Sequence, residues 1–598
     1  MALNKILSGM VREFCVKNSL KDFTENKAYE YLVNYVLVSK MHPEAFSDVS
    51  DLERINVDDG STFGIDGIAF IVNDNLVLNK ADIELYSKSK SLDVKILFIQ
   101  TKTEESYDSG KILKTIEAVQ NFFADKSMLP KNDPIKNAIE IYEELMDYSN
   151  SKYLRKSSPE VFIYYATAAR PCEDELIFNL ISSQEKKFTT ISPDVKTVSI
   201  HLLGGEHIIE SYSEVENRVE VNILFKNTLS LDKIEQVEQS YLGYLPCDEY
   251  LKIITDSQGN LRRRLFYENV RDYQGPDNNV NKEICETLTN KELKAKFILL
   301  NNGVTIVTKH FKSLGSNAFE MRDFQIVNGC QTSNEIYNAK ESISDVLVPV
   351  KIIHTTDPDL ISMIVRATNR QTPVPEEAFI ALEKYHKRLQ TLFDTYSREM
   401  PISLHYERRS GELNFQEKNL LSYQKVNLHS LIRAVTSVYF LDPHVVYNNN
   451  PANILRNRRE RLFQEDHKPE IYYLSNYLLA KFVELQNKNV LSYGDYKIRY
   501  YVIMVARFIL SGHNKVHELN SKDIEKDAKK IIDHLKKDEQ LVIKAFLEAK
   551  KIVNAKIHDF KSRNGSDSID AILRDSNFNS QLKRAIFELF KEPVKNHL

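Results

Sequence analysis

Two short apolar runs near the start of the chain constrain its fold more than any other feature. Gly64-Ile65-Asp66-Gly67 opens the run Ile68 to Val72, and a second run, Val94 to Ile99, ends in Gln100-Thr101-Lys102. Both are short, rich in β-branched residues and bounded by turn formers such as Asn73-Asp74-Asn75, which is the pattern of buried strands. Residues two apart on a strand share a face, so Gln100 and Lys102 point the same way. With Asp66 on the neighbouring strand, a carboxylate, an amide oxygen and an ammonium converge. Magnesium prefers hard oxygen ligands, so Asp66, Gln100 and a main-chain carbonyl are expected to hold Mg2+ (or Mn2+), with water completing the shell. Lys102 then orients or deprotonates the attacking water, while the cation neutralises charge building on a phosphodiester. An Asp at a strand start and a Lys at a strand end also occur as ordinary sheet surface, and that reading stands beside the catalytic one.

The flanking segments have helical spacing. Ala28 to Leu37 is apolar apart from residues such as Glu30, and Ile112, Ile116, Val119 and Phe123 recur at helical intervals after Lys102. Helix, strand with Asp, strand with Gln-x-Lys, helix: in this order the segment resembles the PD-(D/E)xK nucleases in their Mrr-like form, where Gln precedes x-Lys. The resemblance implies a restriction-endonuclease-like α/β fold, a Mg2+ site on Asp66 and Gln100, and assistance from Glu30 on the helix. A solvent-facing carboxylate is the plainer reading of Glu30.

A chain of 598 residues with 27% charged and 42% hydrophobic residues has the composition of several globular domains rather than of a disordered protein. The net charge of −4 does not advertise nucleic-acid binding, although a local basic groove is all that an enzyme needs. The five cysteines, Cys15, Cys172, Cys247, Cys285 and Cys330, lie far apart with no Cys-x-x-Cys pair, so neither a zinc site nor a disulfide framework is expected. No leader-like or membrane-length apolar run is read, so the expectation is a soluble cytoplasmic protein without a membrane partner.

Further strands are expected at Val161–Ala169, Val198–Leu203 and Val219–Phe225, and a helix over Pro134–Tyr148. Strands interleaved with helices argue for a mixed α/β fold. Whether 160–230 completes the first domain or begins a second stays open. The expected division is a nuclease-like domain over 1–150, with an extension to about 230 left open, an α/β connection over 151–240, a central α/β region over 241–445 and an all-α C-terminal region over 446–598.

The central region has the most distinctive wording. NVRDY (269–273), FILLNNGVTI (297–306), IVNGCQTSNEIY (326–337) and ATNRQT (367–372) each set a strand or helix against an amide-rich turn. Asn-Gly steps allow positive φ. A helix is expected to open near Thr332-Ser333 with Glu335 in its first turn, and its free N–H groups would favour an anion. Asn301, Asn302, Asn328, Gln331, Ser333, Asn369 and Gln371 are thus candidates for one polar recognition pocket. They offer hydrogen bonds but little acid or base power. Amides that satisfy buried backbone in tight turns are the structural alternative. The four phrases together, over about 240–445, resemble the abortive-infection phage-resistance (AIPR) family, whose members are associated with bacterial defence against phage.

Arg456, Arg458, Arg459 and Arg461 form the densest basic cluster. Arg456, Arg459 and, less closely, Arg461 are expected to share a helix face as a phosphate-contacting ridge, with a solvated face as the alternative. The helical patterns from Ile471 onward read as bundle core or subunit contact. The expected function is therefore a metal-dependent endonuclease of a phage-defence system, acting on DNA, with its helical tail expected to assemble a dimer and with other proteins of the defence system as partners. A non-enzymatic nucleic-acid or nucleotide sensor and a ribonuclease are the rival readings.

Overall fold

In the computed structural model the described residues run from 3 to 590, apart from 59–63, 88–90, 125–131, 267–278, 369–383, 409–419, 565–567 and some single residues and pairs. The chain divides into two compact units. One comprises Met1–Ile209, Glu383–Leu413 and Glu417–Leu598, and the other Glu210–Leu382 with Asn414–Gln416. This division cuts across the four consecutive segments expected from sequence.

The first unit is built on a five-stranded sheet. Its strands are β1 (Gly67–Val72), β2 (Asn75–Val77), β3 (Val94–Lys102), β4 (Glu160–Thr167) and β5 (Thr197–Leu203), in the order β2-β1-β3-β4-β5. β1 runs antiparallel to β2 and to β3, with Gly67 opposite Ile99, whereas β3, β4 and β5 are parallel. Every residue of β1 is buried, as are those of β3 up to Thr101, in keeping with their mostly apolar wording. The helix Ser109–Phe122 buries Ile112, Ile116 and Val119, and the helix Asp133–Met146 buries Ile135, Ala138, Ile141 and Leu145, all in one core with the strands.

Three N-terminal helices, α1 (Lys5–Asn18), α2 (Glu25–Met41) and α3 (Val49–Ile55), complete this part. Thr24 caps α2 by accepting from Lys27 N. Along α2 nearly all side chains from Ala28 to Ser39 are buried, so it is an internal helix rather than an amphipathic one. Tyr29 Oη donates to Thr167 O at 3.0 Å and ties α2 to the carboxyl end of β4.

The C-terminal helices belong to this same unit. Arg433, on the helix Leu428–Val438, makes a two-pronged pair with Asp51 of α3, at 2.9 and 3.1 Å. Asp82 Oδ1 accepts from Asn450 N and Asn453 Nδ2 at 3.3 and 3.1 Å, and Tyr493 Oη donates to Glu53 at 2.7 Å. These are buried or half-buried polar contacts between segments hundreds of residues apart in sequence. Helices of the expected C-terminal region over 446–598 thus contact α3 and the turn Lys80–Asp82 of the N-terminal part. Among the described residues no helix is long and apolar enough to cross a membrane.

The second unit holds a six-stranded sheet of order β6-β10-β9-β11-β8-β7, made of β6 (Glu220–Leu224), β7 (Asn227–Ser230), β8 (Gln239–Pro246), β9 (Val304–Gly315), β10 (Ala318–Asn328) and β11 (Leu347–His354). All neighbours are antiparallel except β9 and β11. The open question over 160–230 resolves between β5 and β6: β4 and β5 complete the first sheet, and β6 starts the second. Two glycines of the distinctive phrases have fixed roles. Gly303 and Gly329 take φ of 78° and 107°, and a Cβ on either would meet Pro349 O or Val304 Cγ2 at 2.8 Å.

Candidate active site

Asp66 lies one residue before β1, and its main chain continues the ladder: Asp66 N donates to Ile99 O at 2.8 Å, and Asp66 O accepts from Val57 N at 3.0 Å. The carboxylate is therefore held at the mouth of the β1–β3 pair, opposite Gln100 and Thr101. Its Oδ2 accepts three hydrogen bonds, from Gln100 Nε2 at 2.7 Å and from Thr101 N and Thr101 Oγ1 at 2.6 Å each. No donor among the described residues reaches Oδ1, although the residue is only 7% exposed. Burial raises the pKa of Asp66; the hydrogen bonds from Thr101 and the charge of Lys102 oppose that shift, and Asp58 reinforces it.

Two further carboxylates join it. Glu30 from α2 and Asp58, which follows α3, each bring an oxygen so that these and an Asp66 oxygen all lie within 4.8 Å of one another. Glu30 is buried, and its carboxyl is pushed up to about 8, first by burial and then by the negative charge of Asp66, against the pull of Lys27. Gly67 allows α2 to come this close. A Cβ there would stand 2.6 Å from Asn34 Oδ1, and Asn34 in turn donates to Asn56 beside Asp58.

The structure thus brings together Asp66, Gln100 and Glu30 from the expected set, with Lys102 near enough for its charge to act on Asp66. One detail differs from expectation. Gln100 meets Asp66 with its amide nitrogen, a donor, where its oxygen was expected to face a cation beside that acid. Its Nε2 also donates to Thr101 O at 3.2 Å. Three contributors went unread in the sequence. Asp58 carries only the weak signal of an acid pair, Asp58-Asp59, between α3 and Asp66. Thr101 is the unspecified residue of the Gln-x-Lys phrase. Lys27 stands three residues before Glu30, the spacing at which helix side chains meet.

Beside this site, a cleft of about 620 Å³ opens at the carboxyl ends of the parallel strands, between the loops that follow β3, β4 and β5. Lys102 pairs in register with Thr167, and the cleft begins at the next residue, Ala168. Glu105, Glu173, Asp174 and Glu206 line it, with Arg170 as the cationic side chain. The outer ends of parallel strands are where α/β sheets commonly receive ligands.

Among the described residues of the amide-rich block, two are engaged within their own turn. Asn301 uses its side chain internally, accepting from Gly303 N at 2.9 Å and donating to Thr332 Oγ1 at 3.0 Å. Ser333 is buried, donates to Gly329 O at 2.7 Å and meets Tyr250 Oη at 2.6 Å. The helix opens at Cys330, two residues earlier than expected, with Gly329 as its left-handed N-cap. Asn302 is exposed, and Asn328 and Gln331 are half-buried. Asn369 and Gln371, like NVRDY, lie outside the described residues.

The arginine ridge is also rearranged. The helix Pro451–Arg458 stops before Arg459–Arg461, which form a 3-10 turn, so Arg456, Arg459 and Arg461 do not continue one α-helical face. Arg458 is drawn inward to Asp442 at 2.8 Å, and the guanidinium of Arg461 lies 4.7 Å from the Phe440 ring centre. Arg456, Arg459 and Arg461 are exposed.

No curated protein and no solved structure matches the chain. A family model does match, and it runs beyond the central phrases into the C-terminal helices that belong to the first unit. The match is to the AIPR protein family and covers residues 266–561, a little under half of the chain.

Proposed function

We propose that this protein is a nuclease dependent on Mg2+ or Mn2+ that hydrolyses phosphodiester bonds of DNA in defence against phage. The observation that carries this reading is the buried Asp66, clamped through one oxygen by three donors while two more carboxylates crowd the same spot. The defence role rests on the AIPR region, in line with the resemblance of its phrases to abortive-infection proteins.

The donor set fits a hard divalent cation. Glu30, Asp58 and Asp66 supply only oxygen, the second Asp66 oxygen accepts no hydrogen bond from the described residues, and the mutual repulsion of three acids at this spacing favours added positive charge. When bound, the cation supplies neutralisation of phosphate charge and a water of lowered pKa. The chain's own groups do the remaining work. Gln100 and Thr101 lock the rotamer of Asp66, so that its second oxygen stays aimed at the site. Lys102, at the solvent end of β3, offers an ammonium to the attacking water or to a phosphate oxygen. Glu30 closes the site from the helical side. The exposed Arg456, Arg459 and Arg461 suit contact with phosphates, which carry affinity but no sequence information. The second unit, and the helices that clamp α3, are read as regulating the site or recognising substrate.

The test is cleavage of supercoiled plasmid and of total RNA by the purified full chain with Mg2+, Mn2+ or EDTA. Cleavage of plasmid that needs the cation and falls on the order of a hundredfold or more in Asp66→Ala and Lys102→Ala supports the proposal. Nicking at the wild-type rate by both variants refutes the site. Cutting of RNA alone makes the protein a ribonuclease, and nucleic-acid binding without cutting makes it a sensor.

A further inference from the structure

The geometry points to Lys27 as a resident counter-ion of the acidic site, which a divalent cation must displace from Glu30 in order to bind; the inference rests on the metal-dependent reading above. Lys27 Nζ lies 2.5 Å from Glu30 Oε1, one turn along α2. The same ammonium donates to the main-chain oxygen of Asp58 at 2.8 Å. One cation therefore spans the helix and the loop that supply two of the three carboxylates. No other donor among the described residues reaches the Glu30 carboxylate, which is 6% exposed.

The charges are arranged on two sides. Lys102 acts on Asp66, and Lys27 takes the Glu30 side. Lys27 has an exit, because its side chain keeps 31% exposure while its partner keeps 8%. An ammonium on a four-carbon stem binds as a mobile point charge. A divalent ion that enters beside it must overcome the repulsion of a nearby positive charge and take over an oxygen already in use. Removing that positive charge should strengthen cation binding. If Lys27 were only a brace between α2 and the Asp58 loop, removing it would weaken binding instead. The two roles thus predict opposite signs.

The experiment is calorimetric titration of the full chain with MnCl2 at one pH, for wild type, Lys27→Met, Lys27→Gln, Glu30→Gln and Asp66→Asn, with circular dichroism and melting to check folding. Gln keeps a donor for the Asp58 carbonyl but carries no charge. The expected result is Mn2+ affinity about tenfold higher in both Lys27 variants, as loss of a close like charge requires, and lower in Glu30→Gln and Asp66→Asn. When the wild type binds Mn2+, equal or weaker binding by folded Lys27→Met and Lys27→Gln overturns the counter-ion role and leaves the metal site standing. Weaker binding by Lys27→Met with wild-type binding by Lys27→Gln makes Lys27 a brace, which also overturns it. Absence of Mn2+ binding in every protein overturns this inference together with the metal-dependent reading.

Discussion

Replacing Arg433 by Met tests whether the C-terminal helices and the N-terminal sheet are one folding unit. Arg433 meets Asp51 through both guanidinium nitrogens at 2.9 and 3.1 Å, and the two side chains keep only 6% and 3% exposure. Met fills most of the same volume without a charge. Asp51 is then left as a buried carboxylate without its two charge-assisted bonds, a loss worth about 3–5 kcal/mol when one partner of a buried pair is removed. Removing both partners, as in Asp51→Asn with Arg433→Met, deletes the stranded charge and should restore most of the loss. The assay is urea unfolding followed by circular dichroism on the wild type, the two single variants and the double variant, which gives a coupling energy. An Arg433→Met cost below about 0.5 kcal/mol, the range of ordinary surface changes, would refute the reasoning. So would a double variant as unstable as the sum of the singles. Because α3 runs directly into the Asp58 segment, the same Arg433→Met protein should also bind Mn2+ more weakly.

Two further outcomes are expected. Gly67→Ala forces a methyl to 2.6 Å from Asn34 Oδ1, on a side chain that is fully buried and bonded to Asn56; the variant should lose about 1–3 kcal/mol of stability, as overpacked sites do, and a melting curve like that of the wild type would contradict the packing. His386 is fully buried against Tyr406 Oη at 2.7 Å, and burial, with Arg408 adding to it, holds its pKa down at about 3 against 6.5 for a free histidine. The unfolded chain then binds the extra proton first, so stability is intact above pH 6.5 and falls as the pH drops toward 3, by at most about 1.4 kcal/mol per pH unit. His386→Gln should flatten that slope between pH 6.5 and 4.5 relative to wild type in urea melts; an unchanged slope would rule out the linkage.

What could be read in the chain itself was local. The β-branched runs around Asp66 and before Gln100 declared two buried strands, and the meeting of these two residues was expected only on the condition that the strands are neighbours. The helical spacing of Ile112, Ile116 and Val119 was equally legible. So was the AIPR wording, which is a property of residue order and needs no coordinates. Tertiary structure decided the rest. Asp58 enters the site because α3 turns the chain back toward Asp66, and nothing in its neighbours' periodicity says so. Thr101 supplies both a main-chain and a side-chain donor because Asp66 sits just beyond the start of its strand, where alternation no longer assigns a face. Asn301 and Ser333 are absorbed into their own turn, since buried backbone groups must be satisfied before any ligand is. The joining of residues 1–209 with 417–598 depends on pairs such as Asp51 with Arg433. Short-range patterns record which face of an element is apolar, but only the folded chain determines which distant face covers it.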